Sequence, residues 1–277
     1  MYLKFFKKFL TRLIIYAILT AGAILVLFPV AWLISRSFMR LEDTARDIWI
    51  PNPFTLEAYI EVFTQQPFFR YLLNTSFVTF MGVLGTLLSS SLVAFGFSFL
   101  RFKGRDLIFL LVLSTMMLPG EVTMIPIYRI FYFLGWINTF KPLFVPSFFG
   151  SAFFIFLLRQ FFLTIPRDLV DAAYIDGASS FRVWWQIILP LSRPALTTVA
   201  VFSFLGHWND LLGPLIYISS TEKYTLSLAL LSYKNLYFRY TNLLSAATLI
   251  SILPCIIIFF LAQRAFLEGI VTTGLRG

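Results

Sequence analysis

One histidine and one cysteine serve the whole 277-residue chain. A lone Cys255 can form no intrachain disulfide and no CxxC metal or redox pair. It lies in an apolar stretch and reads as a buried, inert thiol. A lone His207 excludes an HExxH zinc site and any triad or metal centre built on histidine. Beside Trp208, it reads more readily as a packed or interfacial ring than as a proton relay. No GxxxxGK[ST] occurs, so no P-loop is available to cradle ATP phosphates. Charge is also scarce, at 13% of residues against roughly 25% in soluble domains. Hydrophobic residues make up 59% and the mean hydropathy is +0.84. That leaves too little polar surface to cover a globule, which excludes an ordinary soluble enzyme and a disordered chain alike. Internal repeats and low-complexity segments are absent too.

What the chain does have is long apolar runs. A helix needs about 20 apolar residues to cross the hydrocarbon layer. Leu13 to Ile34 is the first such run, followed by about Tyr71–Leu100, Leu107–Phe133, Leu143–Phe162, Leu196–Ile218 and Leu243–Phe266. The expected fold class is all-α, a polytopic membrane protein with six transmembrane helices. Its organisation reads as an N-terminal segment over 1–12, a first helix over 13–34, a loop over 35–70, a core of five helices over 71–266 and a tail over 267–277. The first run has a basic leader but is too long for a signal-peptide core, and no small-x-small site closes it. It reads as a retained anchor.

An even number of spans puts both termini on one side. Thirteen of the 22 lysines and arginines share that side. They are Lys4, Lys7, Lys8 and Arg12, then Arg101, Lys103 and Arg105, then Arg159, Arg167, Arg182 and Arg193, and finally Arg264 and Arg276. The rest, Arg46, Lys234 and Arg239 among them, are spread over the opposite loops. The positive-inside rule then makes both termini cytoplasmic. The net charge of +9 is on this reading a topology signal that meets membrane lipid, and no nucleic-acid footprint.

Polar residues inside apolar runs are costly and so invite a functional reading. Glu121 follows Leu118-Pro119-Gly120, and Asn209 and Asp210 precede the interruption Gly213-Pro214. Two readings stand side by side for them: a polar translocation path through broken helices, or an ion pair or helix cap. Gly82, Thr86, Ser90 and Ala94 form a stripe of small residues at helical spacing. Such a stripe lets helices approach closely in lipid, as a partner-facing seam or, more commonly, as plain intramolecular packing. Aromatic residues are 19% of the chain, so accidental stripes are common and none is assigned to a sugar.

The segment 163–194 is longer than a helical hairpin needs. Pro166 suits a first helical position, Asp168 and Asp171 complement the helix N-terminal dipole, and Gly177 can end the helix with φ > 0. Ser180 is expected to cap a second short helix running through Trp184 and Ile188 and stopped by Pro190. Leu169, Ala172, Ala173 and Asp176 fall on one face, and the alanines permit close approach. Trp184 and Trp185 suit the membrane–water boundary. From the residues alone this is either an interfacial amphipathic helix or a protein-docking knob.

Asp171-Ala172-Ala173-x-x-Asp176-Gly177-Ala178, followed by Ile188-Leu189-Pro190 and Pro194, resembles the EAA loop of binding-protein-dependent ABC importer permeases. Leu158-Arg159-Gln160-Phe161-Phe162, Phe204-Leu205-Gly206-x-Trp208-Asn209-Asp210 and Gln263-Arg264-x-Phe266-x-Glu268-Gly269 are similar to the MalG-type subunit of carbohydrate importers. Asp171 stands where that family usually has Glu, with the same charge on a side chain one methylene shorter. The resemblance implies a type I importer permease of the MetI-like fold in the bacterial inner membrane, with no catalysis and no cofactor in this chain. ATP and Mg would belong to two MalK-like ATPase subunits. The other partners implied are a second, MalF-like permease subunit, an extracytoplasmic solute-binding protein and a saccharide or similar polar solute. Asp168, Asp171, Ala172, Ala173, Asp176, Gly177 and Ala178 would then couple to the ATPase, and the tail from Glu268 would lie between the ATPases. The alternative is a secondary transporter or channel with Glu121, Asp210 and His207 in an ion path. It normally brings inverted repeats, which are not seen. An intramembrane enzyme is disfavoured by the poverty of His, Cys and paired acids.

Overall fold

The structure, a computed structural model, describes residues 2–44, 48–236 and 241–274, with side chains for 8–44, 48–232 and 241–263. Arg46, Arg239 and Arg276 lie outside the described residues, as do the side chains of Lys4, Lys7, Lys234, Arg264, Phe266 and Glu268. Among the described residues the chain is helical, with no strand. In chain order it runs α1 (Tyr2–Ser37), α2 (Glu57–Gln65), α3 (Phe68–Phe99), α4 (Arg105–Ser114) and α5 (Gly120–Phe133). There follow α6 (Lys141–Phe144), α7 (Ala152–Phe162), α8 (Arg167–Ile175), α9 (Ser180–Val183) and α10 (Leu189–Leu191). The chain closes with α11 (Arg193–Trp208), α12 (Leu212–Tyr217), α13 (Leu226–Leu236) and α14 (Thr241–Gly274).

By length and composition, four helical stretches can cross a membrane, and six if two bent pairs each count as one span. The expected span 107–133 is one of these pairs, α4 with its 3-10 turn and α5, bent by 100°. The reason is local. Pro119 has no N–H to continue a ladder and holds Leu118 extended, at φ −80° and ψ 118°. The second bend, 84°, falls at Ser192 between α10 and α11. The expected span 196–218 also breaks, ending as α11 at Trp208 and resuming as α12. Two apolar runs go the other way. α1 passes through Pro29 without stopping, and α14 passes through Pro254 and continues to Gly274, past the expected end at Phe266.

The chain forms two compact units, Met1–Phe68 with Leu230–Ile252, and Phe69–Ala229 with Leu253–Gly277. In the first, the apolar stretch of α1 has no buried residue. Just beyond it a small core closes around Met39, Ala58, Val62, Phe68, Leu243, Ala246 and Ala247, all essentially inaccessible. Polar ties hold it: Ser37 Oγ bonds Tyr59 OH at 2.9 Å, and Asn242 Nδ2 donates to the Met39 carbonyl at 3.3 Å. Phe38 stacks on Phe54 at 4.4 Å, and Trp49 lies against Phe28 at 5.4 Å.

The second unit has a continuous apolar core at one end of α3. Ala94, Phe95 and Phe97 of α3 pack with Phe109 of α4, with Leu158 and Phe162 of α7 and with Val199 of α11. Into the same cluster come Val170 and Ala173 of α8, Val183 of α9, and Trp184 and Ile188. At the other end of α3, the loop after α12 is clasped from two sides. Asn74 Nδ2 donates to the carbonyls of Glu222 and Tyr224, and Thr75 Oγ1 accepts the Leu226 N–H at 2.8 Å. Asn138 binds the same loop, as described below.

Candidate functional site

The segment 163–194 is built as expected at its first corner and differently at its second. α8 follows Pro166, carries Asp168 in its first turn and ends before Gly177, which has φ +76°. That left-handed value suits a residue with no Cβ. The cap of α9 is Ser179 rather than Ser180: its Oγ accepts the Arg182 N–H at 3.3 Å. Pro190 does not stop the helix. Trp184–Ile188 forms a π-helical turn in which the Leu189 N–H reaches the Trp184 carbonyl, so the helix widens and runs on to Leu191.

Burial sorts the residues of α8. Val170 and Ala173 are buried in the core cluster, while Asp168, Leu169, Asp171, Ala172, Ile175, Asp176 and Gly177 are exposed, and Ala178 is partly so. This corrects the expectation that Ala173 shares the outward face of Ala172. Ala173 faces inward, and its small size serves packing inside the chain. The outward surface is mixed, with three carboxylates beside Leu169 and an Ile175 that is 87% exposed. Phe181 and Trp185 continue the exposed apolar surface, whereas Trp184 is buried with its indole N–H unpartnered. Trp184 is therefore a core residue, and only Trp185 is free to face a membrane boundary.

Sequence reasoning missed two arginines in this region except as topology charges. α3 ends at Phe99, leaving its last carbonyls without helical partners. Arg159 Nε donates to the Phe97 carbonyl at 3.4 Å and Arg167 Nη2 to that of Ser98 at 3.1 Å. Both cations also complement the negative end of the helix dipole. The Arg159 guanidinium lies 4.2 Å over the Phe109 ring and 3.9 Å from Asp106. Arg105 Nε in turn donates to Asp106 Oδ1 at 3.0 Å. In the sequence Arg159 falls in the last turn of the apolar α7 and Arg167 directly after Pro166, and neither position names a carbonyl some sixty to seventy residues earlier as its partner.

The polar residues inside the apolar runs do not form one site. Glu121 is exposed in the first turn of α5. Asp210 Oδ1 accepts the Gly213 N–H at 3.0 Å and so caps the start of α12. Asn209 is exposed, and its Nδ2 donates to the Leu205 carbonyl at 2.9 Å. Among the described residues no hydrogen bond or ion pair joins Glu121 to Asn209 or Asp210. His207 is a packed ring: Nδ1 donates to the Ser203 carbonyl at 2.8 Å, which leaves Nε2 to accept the Ser147 hydroxyl at 3.0 Å. It sits where a Cβ on Gly82 would be. The small-residue stripe is thus an internal seam. Ser203 Oγ donates to Thr86 Oγ1 at 3.1 Å, the Ser151 N–H reaches Ser90 Oγ at 3.5 Å, and Ala94 is fully buried. Among the described residues no group of three or more His, Cys, Asp and Glu is placed to hold a metal ion.

A helical membrane chain with broken spans and a short two-helix segment welded to its core has the architecture of a transporter permease. Residues 82–271 match the family model of the binding-protein-dependent transport system inner membrane component. The chain belongs to that family, the permease subunits of ABC importers, in which ATP hydrolysis resides in a separate subunit. It is 32% identical over 260 residues to the arabinooligosaccharides transport system permease protein AraQ of Halalkalibacterium halodurans, covering 92% of this chain and 93% of that one. It is also 32% identical to the sn-glycerol-3-phosphate transport system permease protein UgpE of Rhizobium meliloti, covering 96% and 98%. The fold matches a chain in the crystal structure of a bacterial ABC transporter that imports the acidic polysaccharide alginate. The TM-score is 0.82 at 24% identity, over 91% of this chain and 95% of that one. The family settles the choice between an importer permease and a secondary transporter in favour of the former.

Proposed function

We propose that this chain forms half of the translocation pathway for a saccharide or related polar solute, and that the outward face of α8 seats on a separate ATPase subunit. The observation that carries the second part is the two-faced character of α8. Val170 and Ala173 anchor it in the same core as α3, α4, α7 and α11, while Asp168, Asp171, Ala172 and Asp176 are presented outward. A docking element must do both, because a force received on one face is useful only if the other face is fixed to the spans. The saccharide class is supported by the arabinooligosaccharides in the name of one relative, and the wider class of polar solutes by the sn-glycerol-3-phosphate in that of the other. The remaining partners are a second permease subunit, a pair of ATPases carrying ATP and Mg, and an extracytoplasmic binding protein. The distribution of lysine and arginine supports the cytoplasmic side for both termini and for the 163–194 segment. Glu121 and Asn209, exposed at breaks in two apolar runs, are the side chains we place along the path, with Asp210 next to Asn209 as the cap of α12.

The test is Asp171→Lys and Gly177→Trp in the intact importer. Neither position is part of the packed core, so Asp171→Lys should insert and accumulate at the normal level, while Gly177→Trp also puts a Cβ on a left-handed backbone, a local cost of roughly 1–2 kcal/mol that its membrane level, measured alongside, will show. Uptake should fall to background and the ATPase should no longer co-purify. Normal uptake with the ATPase retained in both variants overturns the docking role of α8.

A further inference from the structure

A second polar feature lies beside α8 and takes no part in the proposed docking. Between the end of α3 and the start of α4 the surface opens into a cleft of about 470 Å³. Arg101, Arg105 and Arg167 line it, together with Phe102, Asp106 and Leu107. The charges are unevenly used. Asp106 is taken up by Arg105, Nε to Oδ1 at 3.0 Å, and lies 3.9 Å from Arg159. Arg167 gives one N–H to the Ser98 carbonyl and keeps the rest of its guanidinium for another acceptor. Arg101 and the nearby Lys103 are exposed and have no hydrogen bond or ion pair among the described residues. A neighbouring cleft shares Arg101 and Arg167 but has the unpaired Asp171 on its wall, which makes it the poorer place for an anion.

The surroundings narrow the class of anion. The cleft sits where α3 ends and the apolar run of α4 begins, and the end of a span is where lipid head groups lie. Phe102 at its rim and Leu107, Leu110 and Leu111 along α4 are exposed apolar side chains. They provide a hydrocarbon-compatible strip leading away from the guanidinium groups. We propose that the cleft binds the phosphate of an anionic glycerophospholipid, with Arg101 and Arg167 on the phosphate oxygens and an acyl chain along the exposed face of α4. A free phosphate would use the same cations but would leave that strip without an occupant. The inference rests on the membrane fold and is independent of the coupling role of α8.

Native mass spectrometry of the detergent-extracted importer tests it, after reconstitution in nanodiscs of equal parts phosphatidylglycerol and phosphatidylcholine. The wild type should retain phosphatidylglycerol in preference to phosphatidylcholine. Arg101→Gln combined with Lys103→Gln, at two exposed positions, should weaken that retention roughly thirtyfold, about fivefold per cation removed. Asp106→Asn, which removes the one acid of the cleft, should strengthen it several-fold. Three results overturn the proposal: equal retention in all variants, displacement of the lipid by millimolar inorganic phosphate, or loss of the ATPase subunit from the double variant with its lipid count unchanged. The second would assign the cleft to a soluble anion and the third to a protein contact.

Discussion

Asn138 is the described non-glycine residue with a left-handed backbone, at φ 58°, and most of its hydrogen-bonding capacity is engaged. Its N–H donates to the Tyr217 carbonyl at 2.7 Å and its Nδ2 to Ser220 Oγ at 2.7 Å. Its Oδ1 accepts the N–H groups of Ser219 and Ser220, and its carbonyl accepts Lys223 Nζ at 2.6 Å. The residue fixes the loop that follows α12. Asn138→Gly keeps the backbone conformation and loses the side-chain bonds, a cost of about 1–2 kcal/mol. Asn138→Ala adds a left-handed penalty of roughly 1–2 kcal/mol, so thermal unfolding in detergent should rank wild type above Gly and Gly above Ala. Equal losses for the two variants would mean that the backbone conformation is not what Asn is needed for. Nothing in Ile137-Asn138-Thr139 announces this clasp, because its partners lie some eighty residues further along the chain. Gly177 is the opposite case: its left-handed corner was legible, because the helix it ends has its start, its acids and its stop in one short stretch.

Among the elements, the seam between α3 and α11 shows what a spacing pattern can and cannot tell. Gly82, Thr86, Ser90 and Ala94 announced a close approach, and the approach is real. The pattern could not name the partner, since a small side chain is a vacancy that any helix can fill. Here His207, Ser203 and the stretch 147–151 fill it. Gly82→Ala should therefore overpack the His207 ring and destabilise by about 1–3 kcal/mol. Adding His207→Ala should recover much of that loss, giving a coupling of about 0.5–3 kcal/mol in a double-mutant cycle read by thermal unfolding. Additive losses would place the ring elsewhere. The same limit explains the alanines of α8. Sequence spacing put Ala172 and Ala173 on one face, but successive residues on a helix are about 100° apart, and the core takes the second. The stop expected at Pro190 comes one residue later, after Leu191, because the turn before the proline is wound as a π-helix.

For the molecule as a whole, composition was enough to give the class. Apolar runs located the spanning helices to within a few residues at most ends, because hydrocarbon length is a hard constraint. Hydropathy alone did not give the 100° bend in the run 107–133, since a bend leaves hydropathy unchanged; the cue to it was Leu118-Pro119-Gly120. Nor did it show that the polar segment after α7 is part of the core. That arrangement has a measurable signature. Backbone amides of α8 in hydrogen exchange should be protected like those of α7, and well above those of the short helix Thr221–Lys223. Exchange of α8 at the rate of an exposed loop would mean that its packing on Phe162 and Val183 does not persist.

The anchoring of α8 also bears on timing. Packed side chains have little compressibility, so a linkage made of Val170, Ala173, Val183 and Phe162 has almost no slack. A displacement at the outer face would reach α3 and α7 without first being absorbed in straightening a loop. Such a linkage behaves as a crank and not as a spring: it stores little energy, and the stroke at its far end keeps step with the stroke at its near end in both directions.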